Sequence, residues 1–297
     1  MQQKPVLLDE HHATASGQLA ETLTWLFVPG NRPERFAKAL ASGADAVIID
    51  LEDAVDALAK AEARGHVEKF LREATAKVFV RINDAGSGYY AEDVAMLERT
   101  AQLAEHGLLG IMLPKAEIRA DLEALRSRFD YSVALVAIIE SAVGMHRIHE
   151  IAAVPGVHRL AFGAVDYAVD LGLGHEPRAL DQARSTLVLA SKVARLAAPI
   201  DAPSLAIKDT GRILAEARWG KDFGFGGKLC IHPAQVAQVE EAYGPSLEQQ
   251  QWARRVLSVA EQGAAQIDGQ MVDRPVIDQA QDILRRAARR TNRQENP

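Results

Sequence analysis

The chain carries a single cysteine, Cys230, in 297 residues. That excludes an intrachain disulfide and any zinc or iron–sulfur site built on clustered cysteines. Excess positive charge is also missing, because 34 Lys and Arg stand against 40 Asp and Glu, a formal charge of −6 with neutral histidines. Such a balance offers no electrostatic footprint for nucleic acid and no field steering toward anionic membranes. No apolar run approaches the roughly 18 residues of a membrane-spanning helix. The opening residues, MQQKPVLLDEHHATASG, lack the apolar centre and basic start of a signal peptide. Trp25, Trp219 and Trp252 are scattered and read as packing rather than as a base-stacking platform. Together these absences predict a cytoplasmic protein with neither a nucleic-acid nor a membrane partner.

What is present is ordered apolar material. Hydrophobic residues make up 48% and charged residues 25%, an ordinary globular composition with enough substance for a large core. At about 150 residues per domain the length suggests two domains, but α/β barrels use such a length as one. Residues 1–22 are polar and aperiodic and read as a flexible tail; His11 and His12 within it do not make a metal site. Thereafter short β-rich apolar runs recur: Thr24–Pro29, Ala46–Leu51, Lys77–Asn83, Leu109–Lys115, Ala134–Glu140, Arg159–Asp166, Pro199–Ser204 and Gly227–Pro233. They are near-continuous rather than alternating, as parallel strands covered on both faces are. The seventh, interrupted by Pro203, has the weakest pattern.

Helical stretches lie between them. In Asn31–Gly43, Pro33 suits the first turn, Phe36, Ala39 and Leu40 share a face, and Gly43 supplies the stop. Asp93–Gly107 carries the stripe Val94, Leu97, Ala101 and Ala104, and Gln182–Ala198 ends before Pro199. Eight strands each trailed by a helix is the count at which a parallel sheet closes. An open doubly wound sheet is disfavoured because no Gly-x-Gly-x-x-Gly follows the first strand. The fold class expected is therefore α/β, a (β/α)8 TIM barrel over residues 23–242. Residues 243–297 form a helical extension with an irregular link at Asp268–Pro275.

In such a barrel chemistry gathers where strands end. The second strand ends in Asp50, Glu52 and Asp53, the third in Arg81 and Asn83, and the fourth in Lys115. The fifth to eighth end in Glu140, Asp166, Asp201 and His232. Glu140 and Asp166 are one strand–helix unit apart, which puts them on neighbouring strands about 4.8 Å from each other. Near Asp50 and Glu52 they would repel and raise one another's pKa unless a cation were shared. Arg81 and Lys115 offset part of that charge, and a Mg²⁺ held by two carboxylates and several waters suits the rest. Equally, Glu140 and Asp166 precede helix starts and could act as caps. The residues alone leave both readings open. His232 reads as a hydrogen-bonded structural histidine. Lys60 and Arg64, in KAEAR, either meet an anionic carrier's phosphates or form a solvated helix face. The arginines at 285, 286, 289, 290 and 293 read as a solvated helix end.

The stretch LFVPGNRPERFAKALASGADAVIIDLEDAV resembles the citrate lyase β-subunit-like branch of the HpcH/HpaI aldolase superfamily. The likeness continues through KAEAR, VRIN, LPK, IIESAVG, LAFGAVD, GFGGKLCIHPAQV and DGQMVDRPV. It implies a (β/α)8 barrel with a C-terminal helical extension. It further implies Glu140 and Asp166 as Mg²⁺ ligands, Arg81 as the catalytic and substrate-binding arginine, Asp50 as a catalytic carboxylate, and Asp50, Glu52 and Asp53 as carboxylates that mainly support metal-bound waters and the arginine. Asp273, in GQMVDRP, matches an acid/base carried by the extension of a neighbouring subunit, so a homo-oligomer, trimer or hexamer, is expected. Val165 replaces a common acidic residue and Ser141 a usual threonine, which leaves the acyl group open. The implied activity is Mg²⁺-dependent carbon–carbon cleavage of a 3-hydroxy-3-carboxyacyl thioester (citramalyl-CoA, malyl-CoA or a citryl thioester) to an acetyl thioester and a 2-oxo acid. Substrate contacts fall to Arg81, Glu140, Glu52 and Lys115. Lys115 among carboxylates should stay protonated, which favours a salt bridge over a Schiff base. Thioester hydrolysis, an aldolase for free 4-hydroxy-2-oxo acids, and a citrate lyase-type subunit needing an acyl-carrier partner are the alternatives.

Overall fold

The computed structural model of the chain describes residues 19–174, 177–261, 266–267 and 270–295. Eight parallel strands close into a barrel in chain order: β1 (Thr24–Pro29), β2 (Ala46–Asp50), β3 (Val78–Arg81), β4 (Leu108–Leu113), β5 (Ala134–Ile139), β6 (Val157–Phe162), β7 (Ile200–Asp201) and β8 (Gly227–Cys230). β8 returns to β1 through the Thr24–Lys228, Trp25–Leu229 and Leu26–Cys230 register. The expected α/β barrel is thus what the chain forms. Its near-continuous apolar strands follow from two covered faces. Alternate residues, among them Trp25, Ile48, Phe79, Met112, Val136, Ala161 and Leu229, form one buried cluster, while their neighbours pack toward the helices.

Two devices set the packing inside. Trp25 is fully buried, meets Phe79 edge-on at 4.9 Å, and donates its indole N–H to Thr22 O at 3.2 Å. Gly110 on β4 leaves room for Phe79: a Cβ there would overlap the ring, 2.8 Å from Cδ1, and come within 2.7 Å of Ala134 O. Below them Arg159, fully buried, donates to Leu19 O at 3.1 Å, Thr22 O at 2.8 Å and Ala198 O at 2.8 Å. Residues 19–22, read from sequence as the end of a loose tail, are therefore tied to the base of the barrel. His11 and His12 lie outside the described residues.

Several boundaries differ from the sequence reading. β6 stops at Phe162, so Asp166 sits not at a strand end but in the first turn of the helix Ala164–Asp170. Gly163, directly after the strand, turns the chain into that helix. β7 is only two residues long, and its Asp201 is buried against Lys228 Nζ at 2.6 Å and Arg184 Nε at 3.3 Å. That charge serves the wall of the barrel rather than its rim. The helix expected over Asp93–Gly107 spans Tyr90–Ala101, leaving Ala104 exposed beyond it. The helix of Gln182–Ala198 spans Asp181–Val193.

Residues 240–297 make a second compact unit, its boundary three residues ahead of the one read from sequence. Helices Leu247–Glu261 and Arg274–Glu295 pack through Ala253, Val256 and Ala280, flanked by Trp252, Leu257, Val276 and Ile283. The link between them includes a pairing of Gln266–Ile267 with Gln270–Met271; Asp268 lies outside the described residues. Among the described residues no helix is long and apolar enough to cross a membrane.

Because Gly110 makes room for a core ring, Gly110→Ala should destabilise the chain by about 1–3 kcal/mol through overpacking. A lowered urea midpoint checks this; an unchanged midpoint would show that Phe79 repacks freely.

Candidate active site at the strand ends

The C-terminal ends of β2, β3, β4 and β5 bring Asp50, Glu52, Arg81, Lys115 and Glu140 into one linked cluster, with Asp166 close enough to act on Glu140. Asp50 is 1% exposed and both its oxygens are engaged twice. Oδ1 accepts from Glu52 N at 2.9 Å and Arg81 Nε at 2.7 Å. Oδ2 accepts from Ala54 N at 3.0 Å and Arg81 Nη2 at 2.7 Å. A carboxylate so saturated aims the arginine rather than moving protons itself, and the catalytic role read for Asp50 takes that form here. Glu52 lies 2.9 Å from Arg81 Nη1 through Oε2, an ion pair not aligned as a hydrogen bond. Its Oε1 accepts from Lys115 Nζ at 2.7 Å.

Arg81 also lies over the Phe27 ring at 4.7 Å. Burial opposes its charge, but Asp50, Glu52 and Asp53 outweigh burial and raise its pKa. Two of its five N–H groups are spent on Asp50, and Nη1 faces the carboxylates of Glu52 at 2.9 Å and Asp53 at 3.7 Å. Lys115 shows the same contest: burial lowers its pKa, while the Glu52 hydrogen bond and the charges of Glu52 and Glu140 raise it on balance. The lysine is thus held protonated, as expected from its neighbours.

Glu140 is seated by backbone. Its Oε1 accepts from Lys115 N at 2.7 Å, and Lys115 adopts a left-handed φ of 46° to present that N–H. Beneath the carboxyl lies Gly163, where a Cβ would overlap Glu140 Oε2. Only glycine leaves this seat open. Glu140 does not cap the next helix; Ser141 does, accepting from Gly144 N at 3.1 Å and donating to Glu117 at 2.6 Å. Burial, then the charges of Glu52 and Asp166, push the Glu140 carboxyl up to about 8. Repulsion among the acids was the expected cause; desolvation is the larger one.

Those observations bear on a metal. Among the described residues no group of three or more His, Cys, Asp or Glu is arranged as a ready cage. A cation here would therefore rest on Glu140 and Asp166 and complete its shell with water and ligand oxygens, which is how Mg²⁺ is commonly held. The donors are hard oxygens, and burial together with the neighbouring acids opposes the charge of Glu140, which a bound cation would offset, so the residues fit the ion.

Other sequence candidates resolve differently. Lys60 and Arg64 are neither a solvated face nor free for phosphates: Lys60 is buried, and Arg64 pairs with Asp93 at 2.8 Å and with Glu92. Their partners come from Leu51 to Asp93, which helix periodicity cannot reveal. His232 caps a short turn, accepting from Ala234 N through Nδ1 at 3.1 Å. Asp273 belongs to the second unit, exposed, at the start of helix Arg274–Glu295, where its Oδ1 accepts from Val276 N at 3.2 Å. Asn83, read only as a strand-end polar residue, donates to Leu51 O at 3.1 Å and to Asp93 at 2.6 Å; its place beside Arg81 in VRIN was the only signal.

Comparison with known proteins places the barrel in a family. Residues 23–233 match the family described as HpcH/HpaI aldolase/citrate lyase. A citrate lyase subunit beta-like protein of Mycobacterium tuberculosis is 41% identical over 279 residues, covering 90% of this chain and 96% of its own. A (3S)-malyl-CoA thioesterase of Cereibacter sphaeroides is 33% identical over 272 residues, covering 88% and 93%. The crystal structure of CitE from M. tuberculosis, in complex with magnesium, acetoacetate and coenzyme A, superposes with a TM-score of 0.78 at 36% identity, covering 91% of this chain and 99% of that one.

The raised Glu140 pKa has a measurable sign. In protein stripped of divalent ions the folded carboxyl keeps its proton up to about 8, whereas the unfolded one loses it near 4.5. Between those values the unfolded state binds fewer protons, so stability should fall as pH rises through this window. Glu140→Gln should flatten that fall in denaturant titrations at pH 5, 6.5 and 8; a wild-type fall persisting in the variant would assign it elsewhere.

Proposed function

The chain belongs to the HpcH/HpaI aldolase/citrate lyase family, and on that premise we propose that it is a Mg²⁺-dependent carbon–carbon lyase acting on a 3-hydroxy-3-carboxyacyl-CoA thioester. Citramalyl-CoA, malyl-CoA and a citryl thioester are the candidate substrates. The products are an acetyl thioester with pyruvate, glyoxylate or oxaloacetate respectively. The observation that carries this reading is the seat of Glu140. A buried carboxylate with a carboxyl pKa of about 8 stands at the same rim as a second acid and an arginine fixed by Asp50.

In the reaction the substrate hydroxyl loses its proton and the bond between the carbinol carbon and the thioester α-carbon breaks. The bonding electrons pass into the thioester enolate, which then takes a proton at carbon. Glu140 and Asp166 would hold Mg²⁺, whose chemistry when bound is to polarise the carbinol oxygen as a Lewis acid. Arg81, fixed by Asp50 and Glu52, donates to the substrate's developing oxyanion, a contribution of about 3–4 kcal/mol for such a donor. Lys115 neutralises Glu52 and, being held protonated, is no amine nucleophile. Asp273 is assigned the proton transfer from its match to the family's GQMVDRP position.

Thioester hydrolysis is the second reading, favoured by the likeness to a malyl-CoA thioesterase. A panel of hydroxyacyl-CoA thioesters, assayed with purified chain alone, separates the two. Lyase activity yields a 2-oxo acid with no free thiol; hydrolysis yields free CoA thiol and the hydroxy acid. Activity only with an added acyl-carrier protein would point to a citrate lyase-type subunit.

Glu140→Ala and Asp166→Ala should each abolish turnover while circular dichroism stays native, and EDTA should silence the wild type until Mg²⁺ is restored; metal-dependent turnover surviving in both variants would remove the assignment. Asp273→Asn keeps a side chain that caps a helix as well as aspartate does but cannot exchange the proton. It should lower kcat by about 10²–10⁴-fold with little change in thioester affinity. Unchanged turnover would leave Asp273 as a helix cap only.

A further inference from the structure

The helix that follows the acidic turn begins with Lys60 and carries Arg64 one turn later, and the reaction above uses neither. Lys60 is 8% exposed, and its Nζ donates to Leu51 O and Glu52 O at 2.7 Å each, with the Tyr89 ring centre at 5.7 Å. Leu51 O receives a second N–H from Asn83 Nδ2 at 3.1 Å. Asn83 in turn donates its backbone N–H and Nδ2 to Asp93 Oδ2 at 3.0 and 2.6 Å, and Arg64 Nη1 donates to Asp93 Oδ1 at 2.8 Å. The same short turn is held from its other side by Asp50, which accepts from Glu52 N and Ala54 N. Main chain from Leu51 to Ala54 is therefore gripped by its carbonyls on one side and its amides on the other.

We propose that Lys60, backed by Asn83, Asp93 and Arg64, is a positioning residue that locks this turn so that Asp50 and Glu52 hold Arg81 and Lys115 in reactive geometry. An ammonium is costly to bury unless its N–H groups are satisfied, and burial does lower the Lys60 pKa against the raising charges of Asp50, Glu52 and Asp93. Its hydrogen bonds nonetheless go to carbonyls. The carboxylates keep their own bonds for Arg81 and Lys115, and Lys60 acts on their placement through the backbone. An apolar residue of equal length would take one of two donors from each carbonyl, leaving Leu51 O to Asn83 Nδ2 and Glu52 O to Val55 N at 3.0 Å, and let the turn relax. Displacement of about 1 Å at a reacting centre is enough to cost about 100-fold in rate.

The part of this inference that concerns turnover rests on the proposed function; the brace itself does not. The test compares wild type, Lys60→Met, Lys60→Arg, Glu52→Gln and the double variant K60M/E52Q by amide hydrogen exchange and by steady-state kinetics on the thioester that wild type turns over. In Lys60→Met the Glu52 and Ala54 amides should exchange at least about tenfold faster, while helix Arg119–Ser127 is unchanged. Its kcat should fall at least about tenfold with KM altered less than threefold, and Lys60→Arg should recover part of both losses. Adding Lys60→Met to Glu52→Gln should cost much less than it costs wild type, because the carboxylate it places is already neutral. Wild-type exchange with turnover within twofold would overturn the proposal, as would costs that multiply in full in the double variant. If Lys60→Met does not fold, Lys60→Gln is judged by the same measures. Should wild type turn over no thioester, the proposed function falls, and the brace stands or falls on exchange alone.

Discussion

Everything at the strand ends depends on one buried ion pair, the two-pronged contact of Arg81 with Asp50. Burying a guanidinium and a carboxylate together is costly unless each remaining donor and acceptor is met. The chain meets them with backbone: Glu52 and Ala54 supply amides to Asp50, and Phe27 covers the guanidinium face. With Asp50 saturated by Arg81 and backbone, Glu52 lies between two cations, and Lys115 reaches from the end of β4 across the rim to Glu52 beyond β2.

Glu140 stands in contrast. It has a backbone N–H and an open glycine beneath it, and both burial and the acids Glu52 and Asp166 act against its charge. Burial first, and those acids second, make that charge costly, a cost its raised pKa records. A divalent ion would repay it more fully than another lysine, since a small double charge can approach two carboxylates at once and still carry water that a ligand displaces. The cluster thus divides into an organic half, where Arg81 and Lys115 balance Asp50 and Glu52, and a half around Glu140 that an external cation would suit. That division fits a chemistry in which one end of a ligand is gripped by metal and the charge that develops is met by fixed donors.

How much of this was legible in the sequence depended on range. Parallel strands covered on both faces announce themselves as apolar runs, so the barrel and its first, second and fifth strands could be read nearly to the residue. The rim residues of β2 to β5 followed from where those runs stop. Asp166 was misplaced because FGAVD stays apolar past the strand end, and only the geometry of Gly163 shows where the helix begins. Asp201 resembled a rim acid for the same reason, although its partner Lys228 lies on the adjacent strand and faces the helices with it. Lys60 and Arg64 were invisible in their roles: a basic pair at helix spacing looks solvated, and its true partners are Leu51, Glu52 and Asp93, brought together where β2 and β3 lie side by side. The anchoring of residues 19–22 by Arg159 was hidden likewise, since carbonyl oxygens leave no mark in a sequence.

Lys115 joins the two halves through different atoms, its amide holding Glu140 and its ammonium holding Glu52. Those duties are separable in heredity. Asparagine or glycine at this position tolerates the same left-handed backbone and would preserve the perch of Glu140 while altering the charge offered to incoming molecules. The position is a natural dial, where the charge presented at the rim can change without rebuilding the backbone seat of Glu140.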